Sequence, residues 1–558
     1  MNTTFKYDHY YKFAEIKSNL EYFAEKYPDL CTVEVNCVTL KGLNQYAVTI
    51  TNKKTGDALS KPAWYLDGNI HAGEVTSCMA AMHTIDYVLT NYGTDPEVTK
   101  LLDTETIYVI PRITPDGAET YLTTPYTLRS VDRDYLPEKG GMKDEDLDGD
   151  GIVRAMRIPT PYGAWKINPE DGSMVLRTPS DTEGEFYDVY AEGMLEEDGD
   201  LNLKKKKADW GYDFNRNFPL GWFPEYRQPG AGAYPLCNPE TKAVADFVLA
   251  HPNIGGAACG HTSGGIILYP PGTKPSAKAS PDDIKAFVAI AGMGEQETGY
   301  KPMNIFDHFM LDQENYSSGA LDDWFYQSQG IPAYTIEFWD INSKAGVPFN
   351  WFDHSQETDA KKMERLSAIM KWVKENAPES YMEWQPYDHP QFGKVEIGGF
   401  DSKFTHQNPP AHLLQAECEH DTKFNIRFAK AMPHLVIDSL KSEEAGAGVY
   451  KVTAVVGNKG YLATNLTDEA INIKVAKPVM ASISGAEVLD GSSEVSIGNL
   501  DGYSKTITGV FYGGNIQTMK NASAKKKVTW FVKAEPGTKI TVSAAQEKSG
   551  KASAEITL

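Results

Sequence analysis

Two residues that could bind one metal ion together stand where a buried strand is expected to pass into a helix. They are His71 and Glu74, three positions apart in the segment DGNIHAGE. The apolar run 63–66 precedes them, and apolar residues at helical spacing follow. Imidazole nitrogen and carboxylate oxygen are both good zinc ligands, and a catalytic zinc typically takes three protein ligands and a water molecule. Alone, such a pair is more often a surface histidine and a glutamate that favours a helix N-terminus.

A third candidate ligand lies far downstream, at the end of another apolar run. His261 follows the segment 254–260 and precedes the apolar run 266–270. A single histidine after a strand is usually structural. A histidine that completes a His/Glu/His set, with one position left open for water, instead indicates a catalytic zinc site.

Further polar residues lie between and beyond these ligands. The segment 110–117 (IPRITPDG) ends a strand and is followed by Arg129. The segment DFNRNF contains Asn215 and Arg216, and the apolar strand 333–339 carries one carboxylate, Glu337.

In this order, the motifs resemble those of the zinc carboxypeptidases of the carboxypeptidase A/B type. The shared pattern is His-x-x-Glu, Pro-Asp-Gly, Asn-Arg, a third zinc histidine before Leu-Tyr-Pro, a tyrosine ahead of Asp-Trp, and a late glutamate. It extends from about Tyr7 to about Lys374. Each motif is weak alone, but their ordered conjunction is specific.

The resemblance implies a zinc-dependent carboxypeptidase that hydrolyses the C-terminal bond of a peptide with a free C-terminus. His71, Glu74 and His261 would bind one Zn²⁺, which polarises the scissile carbonyl and lowers the pKa of its water. Glu337 would be the general base, and its apolar strand is expected to raise the pKa of the carboxyl group. Arg129 would stabilise the oxyanion, an interaction worth roughly 3–4 kcal/mol.

Two other arginines remain alternatives to Arg129. Arg112 and Arg133 lie close to Arg129 in the sequence and compete with it for the oxyanion role.

The same resemblance implies residues that bind substrate. Asn215 and Arg216 would hold the terminal carboxylate, since a guanidinium can receive it through two parallel hydrogen bonds. Tyr316 resembles the mobile tyrosine that closes over bound substrate. Asp322 falls where the family places its specificity residue, and a buried carboxylate there would select Lys or Arg as the last residue. The alternative is that Asp322 or Asp323 caps a helix beginning near Trp324.

Two features depart from the family pattern. Gly73 precedes the metal-binding glutamate, where better-known members carry an arginine that lines an outer subsite. An insertion at about 130–210 contains the acidic segment Asp144–Asp150, whose alternating aspartates resemble the first half of a calcium loop. The glutamate expected at position twelve is missing, so a solvated acidic loop is the alternative to a Ca²⁺ site.

Composition restricts the possible partners. The chain has 558 residues and a formal net charge of −22, which argues against nucleic-acid binding because that requires a basic surface. No apolar stretch reaches the roughly 20 residues of a membrane span. The N-terminus lacks the apolar core of a signal peptide, so the chain as written is expected to be cytoplasmic, or periplasmic or secreted if it was trimmed.

The sequence predicts an α/β fold, with a mixed, mostly parallel sheet flanked by helices, plus a C-terminal all-β sandwich. The catalytic domain is expected over 1–380. A linker and a docking helix follow at 381–432, and an immunoglobulin-like β-sandwich of unknown partner occupies 433–558.

Two other functions remain open. A zinc amidohydrolase could act on N-acyl amino acids or on cell-wall peptides, although Asn215, Arg216 and Tyr316 favour a free carboxylate beside the scissile bond. A catalytically idle binding protein is the second alternative, and the presence of every zinc ligand and of Glu337 argues against it.

Overall fold

The computed structural model describes residues 1–133, 141–169, 172–196, 211–310, 314, 316–351, 357–510, 514–520 and 522–558. The helices in this part of the chain are α1 (Phe13–Lys26), α2 (Val75–Asn91), α3 (Pro96–Thr104), α4 (Pro115–Thr123), α5 (Pro239–Ala250), α6 (Pro281–Thr298), α7 (Leu321–Gln329), α8 (Ile341–Lys344), α9 (Asp359–Asn376), α10 (Ala411–Ala429) and α11 (Asp468–Asn472).

The strands are β1 (Cys31–Val38), β2 (Asn44–Ile50), β3 (Ala63–Asp67), β4 (Thr106–Ile110), β5 (Gly141–Asp144), β6 (Ala155–Pro159), β7 (Trp165–Ile167), β8 (Met174–Leu176), β9 (Tyr187–Ala191), β10 (Gly193–Glu196), β11 (Ile254–Thr262), β12 (Ile266–Tyr269), β13 (Lys301–Asn304), β14 (Ala333–Phe338), β15 (Tyr381–His389), β16 (Gly393–Phe400), β17 (Leu435–Gly446), β18 (Val449–Asn458), β19 (Val479–Ser484), β20 (Glu487–Val488), β21 (Glu494–Gly498), β22 (Ile507–Val510), β23 (Ile516–Lys520), β24 (Lys525–Lys533), β25 (Lys539–Gln546) and β26 (Gly550–Thr557).

An eight-stranded sheet of order β1-β2-β4-β3-β11-β14-β12-β13 forms the centre of the larger domain. Strands β4, β3, β11 and β14 run parallel, whereas β2 and β12 pair antiparallel with their inner neighbours. Every residue of these four parallel strands is buried, as expected of strands covered on both faces. Helices α2, α7 and α10 pack against them. The mixed sheet flanked by helices is thus confirmed.

Helix α10 lies in the region where a docking helix was expected, and it packs between α2 and α6. The Phe428 ring centroid lies 5.9 Å from that of Trp64 in β3 and 5.0 Å from that of Tyr334 in β14. The helix therefore shares the core of the large sheet. No helix among the described residues combines the length and apolar character that crossing a membrane requires.

The segment 381–400 is not the linker that its prolines and aromatic residues indicated. It forms β15 and β16, which join the insertion in a sheet of order β15-β16-β6-β9-β7-β8. Val395 and Ile397 on β16 are buried against apolar residues of the insertion, Met156 among them. The alternating apolar positions of β16 therefore determine the structure of this segment.

The C-terminal region is rich in strands, as expected. Strands β17, β18, β24 and β20 form one antiparallel sheet, and β21, β19, β25 and β26 form another. Val452, Trp530 and Val542 belong to the buried core that the two sheets share. The Asp283 carboxylate on α6 accepts hydrogen bonds from the Asp468 and Glu469 amides, at 2.7 and 3.1 Å, and so joins α11 to the larger domain.

Replacing Phe428 by Ala should destabilise the larger domain by about 3–5 kcal/mol, because the fully buried ring leaves a cavity between α10 and the sheet. The measurement is the shift in the denaturant midpoint of the unfolding transition followed by tryptophan fluorescence. Lys423→Ala, at an exposed position on the same helix, is the matched control and should change stability by less than about 0.5 kcal/mol. Equal effects of both substitutions would contradict the packing of α10.

Candidate active site

The candidate zinc ligands lie at the carboxyl ends of adjacent parallel strands. Strand β11 stands between β3 and β14, with Cys259 opposite Asp67 and His261 opposite Glu337. His71 and Glu74 follow directly after β3. Because loops converge at this edge of a parallel sheet, His71 and His261 meet here although they are 190 positions apart.

A tight turn brings the chain from β3 to the ligands. A Cβ atom at Gly68 would lie 2.8 Å from the backbone of Ser77, so only glycine lets the strand approach the start of α2 this closely. Asn69 adopts a left-handed conformation, with φ of 59°. Its backbone amide donates a hydrogen bond to the Ser77 hydroxyl on α2 at 2.8 Å. The Asn69 side chain donates to the carbonyl groups of His71 and Ala72. The turn is thus fixed by hydrogen bonds on both sides of the ligand histidine.

Glu74 occupies the N-cap position of α2, but its side chain does not cap the helix. The carboxylate instead faces the two histidines, with Oε1 2.9 Å from His71 Nδ1 and Oε2 3.0 Å from His261 Nδ1. His71 and Glu74 are only 2% and 3% exposed, which excludes the surface alternative for this pair.

The spacing of these ligand atoms fits a zinc ion. The two Nδ1 atoms lie 3.2 Å apart, and each is about as far from one Glu74 oxygen. Ligands at zinc bond lengths in a tetrahedral arrangement would be separated by about 3.3 Å. Two imidazole nitrogens and a carboxylate are also donor types that zinc prefers. The residues present therefore fit the metal that the sequence predicts.

Asp213 holds His71 in the orientation that this geometry needs. Its Oδ1 atom accepts a hydrogen bond from His71 Nε2 at 3.0 Å, which leaves Nδ1 directed toward Glu74 and His261. Its Oδ2 atom accepts from Arg129 Nε at 3.0 Å. Carboxylates that hydrogen-bond a ligand histidine in this way fix its tautomer and raise its basicity. Sequence reasoning missed this role, although Asp213 begins the segment that contains Asn215.

The site concentrates charge in a buried volume. Burial alone would raise the pKa of Asp213, but Arg129, Arg216 and His71 hold it well below its usual value. The pKa of Glu74 is likewise lowered against the effect of burial, by His71 and His261. Both carboxylates are therefore ionised and able to accept hydrogen bonds or bind a cation.

Arg129 is the arginine that reaches this centre. Besides its contact with Asp213, its Nη1 atom donates to Glu74 Oε1 at 3.1 Å. Arg112 instead donates to the Tyr11 carbonyl at 2.8 Å, and Arg133 pairs with Glu240 and Asn238. Of the three candidates for the oxyanion role, the structure brings Arg129 alone to the ligands.

Glu337 lies beside the ligands on β14, with 9% of its surface exposed. Burial raises its pKa to about 7; Glu74 and Asp322 add to the increase, and His261 and Arg129 oppose it. The sequence-based expectation of a raised pKa agrees with this direction. A carboxyl group with this pKa can both accept and release a proton near neutral pH.

Asn215 and Arg216 follow Asp213 in a short 3₁₀ turn. The Asn215 side-chain oxygen accepts from the Leu321 amide at 2.9 Å, which ties this turn to the first residue of α7. Arg216 donates from Nη1 to the Asn215 carbonyl at 2.7 Å, and its side chain is 18% exposed. The two residues therefore stand between the metal-ligand cluster and the start of α7.

Tyr316 is partly buried, and its ring packs 5.2 Å from that of Phe223. Residues 311–313 and 315, just before it, lie outside the described residues.

Asp322 lies in the first turn of α7 with 4% of its surface exposed. Its Oδ2 atom accepts from the Thr335 hydroxyl at 2.7 Å. Thr335 and Glu337 are two residues apart on β14, so their side chains share one face of the strand. Asp322 is thus placed on the side of the strand from which Glu337 projects.

Neither Asp322 nor Asp323 caps this helix, since α7 begins at Leu321 with Ala320 at its N-cap position. The Asp323 carboxylate accepts from the Gly272 amide at 2.8 Å and from Gln327 Nε2 at 2.7 Å. The capping alternative considered from the sequence is therefore wrong.

Gly73 leaves space that a later segment fills. A Cβ atom at this position would lie 2.7 Å from Gln407 Nε2 and 2.8 Å from the ring of Tyr121. The Asn408 side chain donates to the Gly73 carbonyl at 2.7 Å and accepts from the Thr76 amide at 3.1 Å. The residues that precede α10 thus occupy the space into which a side chain at position 73 would extend.

Two parts of the chain match known protein families. Residues 16–361 match the family described as zinc carboxypeptidase, and residues 434–557 match a domain of unknown function, DUF8731. Mouse carboxypeptidase A2 is 22% identical over 340 residues, which cover 58% of this chain and 61% of that protein. Human carboxypeptidase D is 29% identical over 111 residues, which cover 20% of this chain and 8% of that protein. The match thus spans less than two thirds of either relative.

Two solved structures are similar to the same part of the chain. The crystal structure of thrombin activatable fibrinolysis inhibitor has a TM-score of 0.40 and 20% identity, and the similarity covers 66% of this chain and 76% of that one. Carboxypeptidase A from Helicoverpa armigera has a TM-score of 0.40 and 18% identity, with coverages of 68% and 78%. Because the family match extends over more than half of the chain, from before His71 to beyond Glu337, the chain belongs to the zinc carboxypeptidase family.

Proposed function

We propose that the protein is a zinc-dependent carboxypeptidase that hydrolyses the C-terminal bond of peptides. The observation that carries the proposal is the convergence of His71 Nδ1, His261 Nδ1 and the Glu74 carboxylate, within 3.2 Å of one another, beside Glu337. Family membership implies Zn²⁺, and these three residues are its candidate ligands. When bound there, zinc supplies Lewis-acid chemistry to the scissile carbonyl and lowers the pKa of water.

Glu337 is the general base in this proposal. It takes a proton from the attacking water and returns it to the leaving amine, so that the carboxyl group ends the cycle as it began. Its pKa of about 7, raised by burial, supports a group that exchanges protons near neutrality.

Arg129 stabilises the negative charge that develops on the scissile carbonyl oxygen. Its guanidinium is held by Asp213 and lies 3.1 Å from Glu74 Oε1. A cation that is already oriented before reaction needs little reorganisation as charge develops, which makes such groups effective.

Arg216 and Asn215 bind the substrate's free carboxylate, and Tyr316 closes over it. Arg216 lies near the metal ligands without a bidentate carboxylate partner among its described contacts, and its side chain is partly exposed. A substrate carboxylate can therefore receive two parallel hydrogen bonds from it. This residue also favours an enzyme that cleaves beside a free carboxylate over one that acts on internal bonds.

Asp322 forms the floor of the pocket for the last side chain and favours lysine or arginine there. It is buried, it lies on the Glu337 side of β14, and Thr335 satisfies only one of its oxygens. The other oxygen accepts a hydrogen bond from the Asp323 amide, which is also a neutral donor. The basic side chain of a substrate would therefore neutralise a buried charge that these two hydrogen bonds leave in place.

We infer that the catalytic unit extends beyond residue 380. Strands β15 and β16 complete the sheet of the insertion, and α10 shares the core of the large sheet. For residues 433–558, two antiparallel sheets around one core support an immunoglobulin-like sandwich as the proposed topology.

Replacing Glu337 by Gln should lower kcat for a blocked dipeptide by at least about 100-fold while zinc content stays unchanged, because the amide keeps the shape but cannot accept the proton. Steady-state hydrolysis and metal analysis of the same sample provide the two readouts. Glu364→Gln on exposed α9 is the matched control and should hydrolyse normally. Full activity of Glu337→Gln would remove the residue from the base role.

The unmodified enzyme should hydrolyse blocked dipeptides with a free C-terminus and leave their C-terminal amides uncleaved, because the amide cannot pair with Arg216. The measurement compares kcat/KM for each acid and its amide. Equal cleavage of both forms would count against exopeptidase action, and cleavage of neither would support the idle binding protein.

Asp322→Asn should lower kcat/KM for hippuryl-Arg by at least about tenfold and leave hippuryl-Phe nearly unchanged, because only the basic side chain loses a buried counter-charge. Asp323→Asn is the matched control, since that carboxylate is held by Gly272 and Gln327. A preference of the unmodified enzyme for hippuryl-Phe would contradict the assignment of Asp322 to the pocket floor.

A further inference from the structure

The acidic loop of the insertion follows a calcium-loop pattern only in its first half. Asp146, Asp148 and Asp150 occupy positions one, three and five, and Gly151 occupies position six with φ of 88°. Position twelve, where a bidentate glutamate is required, holds Arg157. Arg157 pairs with Glu396 on β16 at 2.7 Å, so the loop cannot supply its own last ligand.

The fold brings a glutamate from elsewhere to this loop. The loop connects β5 to β6, and Glu192 stands between β9 and β10, the strands that pair with them. The Glu145 amide donates to the Glu192 carbonyl at 3.0 Å, and the Glu192 amide donates to the Arg154 carbonyl at 2.9 Å. Glu192 is thus fixed by backbone hydrogen bonds to both ends of the loop.

The Glu192 carboxylate is fully buried and lacks the partners that a buried charge needs. It is 0% exposed, and neither of its oxygens makes a hydrogen bond within the described part of the chain. One oxygen each from Asp146, Asp148 and Glu192 lie within 4.8 Å of one another. Burying a carboxylate against other carboxylates is costly unless a cation neutralises them.

The charge on Glu192 is correspondingly disfavoured without a cation. Burial raises its pKa to about 8, and the carboxylates of Asp148, Asp146 and Asp150 add to the increase. The nearby Arg154 amide opposes only part of this effect. A divalent cation bound among these carboxylates would instead favour their ionised forms and lower their pKa values.

We propose that Asp146, Asp148 and Glu192 bind a Ca²⁺ ion, with Glu192 in place of the missing glutamate of the loop. The site contains only oxygen ligands, which hard cations prefer. Two oxygens bound to one Ca²⁺ lie at most about 4.6–5.2 Å apart, twice the usual bond length, so oxygens within 4.8 Å of one another are close enough to share one ion. Mg²⁺ requires shorter bonds and keeps more of its water.

The remaining loop contacts are compatible with this assignment. Asp150 directs one oxygen to Arg154 Nε at 2.8 Å and the other to the Ile152 amide at 2.8 Å, so it adds charge beside the ion. The Asp146 oxygens accept from the Gly149 and Gly151 amides, at 2.8 and 3.0 Å, which orients this carboxylate. The ion would join both connections of the insertion and stiffen its sheet, separately from the zinc chemistry.

The test uses the full chain, depleted of calcium with EGTA and then restored to one zinc per chain. CaCl₂ is titrated by calorimetry, with MgCl₂ as a second probe, and the melting temperature is recorded at each concentration. We expect saturable binding of one Ca²⁺, weaker binding of Mg²⁺ and a higher melting temperature with Ca²⁺, because a ligand of the folded state stabilises it. Absence of saturable Ca²⁺ binding would overturn the proposal.

Variants separate this site from an ordinary acidic surface. Glu192→Gln should weaken Ca²⁺ binding more than about tenfold, since even outer-shell partners of metal ligands are commonly worth that much. Without Ca²⁺ it should melt no lower than the unmodified protein, because it replaces a buried carboxyl group whose ionisation the neighbouring carboxylates already disfavour. Asp148→Asn, at an exposed position that cannot impair folding through burial, should also weaken binding.

Glu145→Gln makes the same charge change one residue before the loop, at an exposed position outside the cluster, and should bind Ca²⁺ as the unmodified protein does. If Glu192→Gln and Glu145→Gln bind Ca²⁺ equally well, Glu192 is not a ligand and the proposal fails. Hydrolysis by the zinc-loaded variants is measured alongside, so that loss of peptidase activity is distinguished from loss of calcium binding.

Discussion

The structure depends on holding two imidazole nitrogens and a carboxylate within 3.2 Å of one another in a buried position. Two nitrogen lone pairs facing each other would repel unless a cation lies between them. The fold therefore has to supply the force that keeps the set together. It does so with the parallel strands β3 and β11, the turn fixed by Asn69, and the hydrogen bond from His71 to Asp213.

Charge balance explains the charged residues that surround the two histidines. Glu74, Asp213, Glu337 and Asp322 bring buried carboxyl groups together, and Arg129 is the nearby cation that contacts two of them. Asp213 and Glu74 are held ionised by cationic or imidazole partners, whereas burial leaves Glu337 with a pKa of about 7. Neighbouring carboxyl groups with divergent pKa values can serve different roles, one as ligand and another as base.

The sequence singled out His71, Glu74 and His261 as candidate ligands because each lies at the end of, or shortly after, an apolar run that forms a buried strand. The family resemblance favoured Arg129 over Arg112 and Arg133, and the contacts of each guanidinium in the tertiary structure distinguish the three residues. Glu192 could not be paired with the acidic loop from the sequence, because sheet pairing rather than loop spacing brings them together.

The prediction of a linker where β15 and β16 lie was wrong for a physical reason. Pro386 suggested an irregular segment, but β15 is the outermost strand of its sheet, where a missing amide hydrogen is tolerated. The signal that outweighed it was the pair of apolar residues two positions apart in β16, Val395 and Ile397, which are both buried. Edge strands that contain proline are therefore a predictable source of such errors.

The most direct test of the central claim is a crystal structure of the purified protein with anomalous data collected on both sides of the zinc absorption edge. The proposed zinc site predicts one zinc ion per chain at this position, coordinated by His71 Nδ1, His261 Nδ1 and Glu74, and lost together with activity in His261→Ala. An anomalous map without zinc between these residues, from protein that still hydrolyses peptides after chelation, would contradict it.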